Sequence, residues 1–123
     1  MKFSSYRQLV SILKKKCPPA YPITVRRTKI TSQLDGDCSL HKKQFKIRIS
    51  NELCESSAID TLLHEWAHAI AWNHLHDSMD WGTFEERIHD ASWGVAYSEV
   101  YRVYEQHFIK QDSKNKCGKI RYK

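Results

Sequence analysis

An α+β domain is what this 123-residue sequence predicts: an N-terminal helix, a small antiparallel β-hairpin or three-stranded sheet, a central helix and a C-terminal helix. Three observations carry that reading. Apolar residues recur at helical spacing in three separate stretches. Between the first two lies a run rich in β-branched residues, with strict alternation of apolar and basic side chains. The length suits one domain with one core.

The first helix is predicted over 3–16, where Tyr6, Leu9, Val10 and Leu13 form one face. Ser4 or Ser5 is placed to cap its start. Lys14, Lys15 and Lys16 suit its C-terminal dipole, and Pro18-Pro19 stop it. Residues 21–31 read as a strand, with Pro22 at its start. Asp35-Gly36-Asp37 reads as a turn, and 38–50 as a second strand. There Phe45, Ile47 and Ile49 alternate with Lys46, Arg48 and Ser50. The two segments are expected to pair as a hairpin, with or without a third short strand. A two-stranded ribbon is not stable alone, so its apolar face must pack on helices.

The central helix is expected to begin at Ser56 or Ser57 as cap, supported by Asp60, and to end near 73–75. Ile59, Leu62, Leu63, Trp66 and Ile70 form its buried face. Residues 74–90 carry no helical stripe and read as an irregular polar segment. Asp90 or Ser92 then caps a last helix over 92–109, with Trp93, Ala96, Tyr97, Val100, Tyr101, Tyr104 and Phe108 as its stripe. The domain therefore covers 1–109, and the lysine-rich stretch 110–123 reads as a basic, flexible tail.

An apolar content of 41% is ordinary for a globular chain. No window approaches the roughly 18 apolar residues of a membrane helix, and the N-terminus lacks a signal-peptide pattern, so a cytoplasmic, membrane-free monomer is expected. Cys17, Cys38, Cys54 and Cys117 form no Cys-x-x-Cys pair, which argues against a zinc ribbon. Free thiols are the expectation, with a second metal site on Cys38, His41 and Cys54 as the minor alternative. The net charge of +6 is unevenly spread. Residues 56–109 hold nine acids and two arginines, a balance of −7, so the flanks carry +13. A basic face on the strands, from Arg26, Arg27, Lys42, Lys46 and Arg48, suits a polyanion such as DNA. It also suits a plain solvated sheet surface.

The chemistry is concentrated in Leu62-Leu63-His64-Glu65-Trp66-Ala67-His68-Ala69-Ile70. On a helix, positions i and i+4 share a face, so His64 and His68 can aim two imidazoles at one metal ion. Glu65 lies about 100° around the helix, where its carboxylate can reach a water without being a ligand. His-Glu-x-x-His in an apolar helix is the zinc-hydrolase pattern. Catalytic zinc usually takes a third protein ligand. His74 stands at the metzincin spacing, but Ala71 occupies the glycine position of that pattern, and a helix running past Ala71 would carry His74 away. His89 precedes a helix able to return antiparallel to the first. Glu85, Glu86 or Glu99 would give a gluzincin-like set. Asp77, Asp80, Asp90 and Glu99 are candidates to hold the free imidazole nitrogens. His74, His76, Tyr97, Tyr101 and Arg102 are candidates to stabilise the oxyanion.

Leu63-His64-Glu65-x-x-His68-Ala69, followed by His89-Asp90-Ala91-Ser92-Trp93-Gly94, resembles the SprT-like (Spartan-related) metallopeptidases over residues 34–105. Asp90 stands where that family usually has glycine, and the zinc ribbon that often follows is missing. Small stand-alone forms look like those encoded by bacteriophages, which would place the chain in the cytoplasm of a bacterial host cell. The resemblance implies a minimal zincin-like fold, one zinc ion on His64, His68 and His89, and peptide-bond hydrolysis by a zinc-activated water with Glu65 as general base. It further implies protein or peptide substrates, including DNA-associated proteins. The alternative is a non-catalytic, zinc-stabilised module that binds nucleic acid or protein.

Overall fold

The computed structural model describes residues 5–31, 33–72 and 91–109. In chain order these form α1 (Ser5–Lys16), β1 (Ile23–Thr28), β2 (Gly36–His41), β3 (Gln44–Ser50), α2 (Glu55–Ile70) and α3 (Ala91–Tyr104). A short π-helical turn, Glu105–Ile109, follows α3. The predicted α+β class and its three-stranded option hold.

Helix α1 buries Tyr6, Leu9 and Leu13, the stripe expected of it. Its start is held differently. The carboxylate of Glu55, at the start of α2, accepts from the backbone N–H of Ser5 at 3.1 Å. At its other end the Cys17 carbonyl accepts from the indole N–H of the fully buried Trp66 at 2.8 Å. The two helices are thus tied at both ends of α1.

The sheet is mixed, with order β1-β3-β2. β3 lies at the centre because it has the cleanest apolar alternation: Phe45, Ile47 and Ile49 are all buried. The expected hairpin is corrected here. β1 pairs in parallel with β3, in the register Ile23↔Phe45 to Thr28↔Ser50. β2 pairs antiparallel with β3, in the register Gly36↔Ile49 to His41↔Gln44. β1 and β2 do run in opposite directions, but β3 is inserted between them. The real hairpin lies inside the segment read as one strand. Its turn is Lys42-Lys43, with φ of 50° and 63°. Those are the positive values a two-residue turn of this twist requires, normally met by Asn or Gly, so two lysines gave no signal. Gly36, read as a turn residue, instead begins β2. A Cβ there would lie 2.7 Å from Thr61 Cγ2 and 2.9 Å from the Arg48 carbonyl oxygen, so only glycine lets α2 approach this strand.

The helices cover one face of the sheet. α2 packs on β2 and β3, while α1 and α3 pack on α2 and on each other. Leu62, Leu63, Trp66 and Val100 are completely buried at the centre. Each such side chain contributes roughly 1.5–3 kcal/mol relative to exposure. α2 starts earlier than its serines suggest: Cys54 is the N-cap, in extended conformation. It also ends earlier, with Ala71 as C-cap at φ −93°. The last predicted turn is given up where Trp72 packs edge-on against Phe45, ring centroids 5.7 Å apart. The open sheet face carries Thr24, Arg26, Ser39, Lys46 and Arg48, and Asp37 is the one acidic residue among the described strands. Asp37 accepts from Arg48 Nε at 3.0 Å, and a second guanidinium nitrogen completes a two-pronged pair. Among the described residues no helix is long and apolar enough to cross a membrane.

Candidate metal centre

His64 and His68 sit one turn apart on the face of α2 that meets α3. Their imidazole Nε2 atoms converge to 3.3 Å. Two nitrogens bound at 2.0–2.1 Å in tetrahedral geometry around one zinc ion would stand about 3.3 Å apart. The spacing of the pair is thus that of two nitrogens on one metal ion. His68 is buried and His64 is half-buried.

The indole of Trp93, on the first turn of α3, covers both imidazoles, with centroids 5.0 Å from His64 and 5.7 Å from His68. Behind it Tyr97 stacks on Trp93 at 5.1 Å, and Tyr101, Tyr104 and Phe108 continue the row. Of the stripe predicted as core, Ala96 and Val100 are buried, Tyr97, Tyr101, Tyr104 and Phe108 pack half-buried against the core, and Trp93 instead forms a wall of the site. Burial, with the charges of Asp60 and Tyr101 added, raises the Tyr97 hydroxyl above the usual tyrosine range.

Glu65, next to His64 in the chain, lies on the buried side of α2, which packs on β2 and β3. It is only 8% exposed. Desolvation, with the charge of Asp37 added, pushes its carboxyl up to about 8. The neighbouring Cys38 thiol is driven far above the thiol range, first by burial and then by the charges of Glu65 and Asp37. Asp37 and Cys38 were not legible as neighbours of Glu65. Asp37 belongs to a sequence that reads as a turn, and only the packing of α2 on β2 brings it near.

Among the described residues no group of three or more His, Cys, Asp or Glu side chains is placed to hold a metal ion. Two expectations fall with that. Glu99 does not join His64 and His68; its charge acts on Cys17, whose thiol is raised by burial first and Glu99 second. Cys38, His41 and Cys54 do not assemble either, since Cys38 and His41, three apart on one strand, point to opposite faces. The argument against His74 is also altered, because α2 stops at Ile70 rather than running past Ala71. His89, His74, His76, Asp77, Asp80, Glu85, Glu86 and Asp90 lie outside the described residues. Of the basic residues expected on the sheet, Arg26, Lys42, Lys46 and Arg48 are exposed. Arg27 is turned inward: it donates to the Ser50 and Leu53 carbonyls at 3.2 and 2.9 Å and lies over the Tyr6 ring.

Residues 4–114, nearly the whole chain, match the SprT-like family, and the chain belongs to that family. No curated protein and no solved structure shows significant similarity to it.

Proposed function

We propose that this SprT-like domain is a zinc-dependent metallopeptidase that hydrolyses peptide bonds, with Glu65 as general base and His64, His68 and His89 as zinc ligands. The observation that carries the reading is the convergence of the two Nε2 atoms to 3.3 Å beside a buried carboxylate. When bound, zinc supplies a Lewis acid and an acidified water. Glu65 takes the proton of the attacking water on a carboxylate oxygen, while the water oxygen bonds to the peptide carbonyl carbon. It then returns that proton to the amide nitrogen as the C–N bond breaks. A carboxyl raised toward neutrality by burial suits a group that must both accept and give up a proton. Trp93 excludes water from one side of the imidazole pair and holds its orientation.

The strand beside Glu65 supports an extended polypeptide as substrate. Among the described residues no strand pairs with the outer side of β2, and the Ser50 N–H bond to the Asp35 carbonyl sets the alternation that turns the backbone groups of Gly36, Cys38 and Leu40 away from β3. An extended chain added to that edge would run past Glu65. The open face with Arg26, Lys46 and Arg48, and Lys42 at its rim, supports a DNA contact that brings DNA-associated proteins to the site.

Glu65→Gln tests the reading. It is expected to keep about one zinc per chain while hydrolysis of an unfolded protein falls at least a hundredfold, within the range of general-base catalysis. Unchanged hydrolysis would remove Glu65 from the mechanism. Separately, His89→Ala should lower zinc content and His74→Ala should leave it; the reverse result would reassign the third ligand.

A further inference from the structure

The opposite edge of the sheet is also open. Among the described residues no strand pairs with the outer side of β1. The carbonyls of Pro22 and Thr28 accept from Phe45 and Asn51 at 2.8 and 3.0 Å, so even-numbered residues of β1 face β3. By alternation the N–H and C=O groups of Ile23, Val25 and Arg27 point outward. α1 packs on α2 and α3 rather than closing against this edge. What remains between them is a groove of about 790 Å³, lined by Tyr6, Arg7 and Val10 from α1 and by Val25, Arg26 and Arg27 from β1.

We infer that this groove binds an acidic polypeptide segment in extended conformation, which adds to β1 as a fourth strand. The backbone edge offers the ladder, and side chains at alternate positions decide what fits it. Val10 and Val25 give an apolar wall. Arg7, Arg26 and Arg27 lie along the groove, and none of the described residues lining it is acidic. The Arg27 guanidinium is fixed by the Ser50 and Leu53 carbonyls, so its charge is held in place rather than free to swing away. Tyr6, 8% exposed, adds a buried hydroxyl with no hydrogen-bond partner among the described residues, a donor suited to a carboxylate. A peptide fits better than nucleic acid because the wall is apolar and the edge presents amides and carbonyls in strand register. The chain's own stretch 110–123 is lysine-rich and has the wrong sign to occupy it. This holds whether or not the chain hydrolyses peptides, since Glu65 lies against the other edge.

The test uses the full chain and a fluorescein-labelled octapeptide alternating glutamate and valine. A lysine–valine peptide of the same length and a single-stranded oligodeoxynucleotide serve as competitors. Saturable binding of the acidic peptide is expected, with amide hydrogen exchange at Val25 and Arg27 slowed at least tenfold and exchange at Cys38 and Leu40 unchanged. Arg26→Glu, at an exposed position, should weaken binding at least tenfold with an unaltered melting curve. Val25→Pro, which removes one edge donor from a strand where proline is tolerated, should weaken it similarly. Four results would overturn the proposal: no binding; equal binding of the lysine peptide; displacement by the oligonucleotide with loss of the protection at Val25 and Arg27; or protection confined to Cys38 and Leu40.

Discussion

The two edges of one small sheet have been given opposite surroundings. At the β2 edge, Gly36 admits α2 to near contact; Glu65 is buried and acts on Cys38, while Asp37, on the open face of the same strand and paired with Arg48, adds its charge. At the β1 edge, α1 touches through Tyr6 and Arg27 and leaves a groove lined, among the described residues, by arginines and no acid. Both edges hang on the same central strand, so pairing does not distinguish them. What distinguishes them is a single missing Cβ and the choice of helix that covers each side. Burial raises the carboxyl of Glu65 toward its neutral form, whereas the guanidiniums at the other edge keep their charge.

The comparison breaks most sharply at Gly36. Gly36→Val is expected to cost about 3 kcal/mol of stability, since the new atoms meet Thr61 and the Arg48 carbonyl, and overpacking of this kind costs about 1–3 kcal/mol or more. Urea denaturation measures it. If hydrolysis is lost while acidic-peptide binding at the β1 edge survives below the melting point, the two edges are independent.

Next in size is the pH dependence set by Glu65. Its carboxyl is raised in the folded metal-free protein, so below about pH 4.5 it is neutral in both folded and unfolded chains and costs nothing. As pH rises from about 4.5 to about 8 the unfolded chain ionises while the folded one holds its proton, so folding stability declines across that window and levels off above it. Glu65→Gln should remove that decline and stabilise the metal-free protein at pH 8.5 on the order of 2 kcal/mol, with little effect at pH 4.5. Thermal melts across that range decide it; parallel wild-type and variant profiles would mean that Glu65 is not desolvated at this edge.

A smaller effect is expected at the β2–β3 turn. Lys43 holds φ at 63°, a conformation that costs a non-glycine residue about 1 kcal/mol. Lys43→Gly should therefore stabilise the protein by up to about 1 kcal/mol, sharpening the register of the edge beside Glu65 and leaving the β1 edge unchanged. The smallest effect is a rate difference among thiols. The exposed Cys54 Sγ is lowered to about 7 by its hydrogen bonds to Ser56 and Ser57, whereas burial raises Cys17 and Cys38. Iodoacetamide at neutral pH should label Cys54 before Cys17 and Cys38, as peptide mass analysis will show. Early labelling of Cys38 would mean that the β2 edge opens to solvent.

The sequence by itself determined the three helices and the pairing of His64 with His68. Helical periodicity is a local property: residues three and four apart meet whatever the rest of the chain does. It also determined that β3 would have one apolar face, because alternation is local too. The metal-site hypothesis needed only the nine residues from Leu62 to Ile70, about two and a half turns, to become visible.

The strand order, the turn at Lys42-Lys43, the early ends of α2 and the neighbours of Glu65 come from packing. Each depends on contacts between residues far apart in the chain. A parallel partner for β1 leaves no mark on β1 itself, because either pairing uses the same extended backbone. Gly36 reads alike whether it serves a turn or a close approach, until the helix that needs the space is in place. The place of Trp93 against the two histidines follows in the same way from α3 packing on α2. In this protein local periodicity selects the elements and the histidine pair, while packing selects what surrounds them, and the surroundings set a buried carboxylate apart from the arginines along the opposite edge.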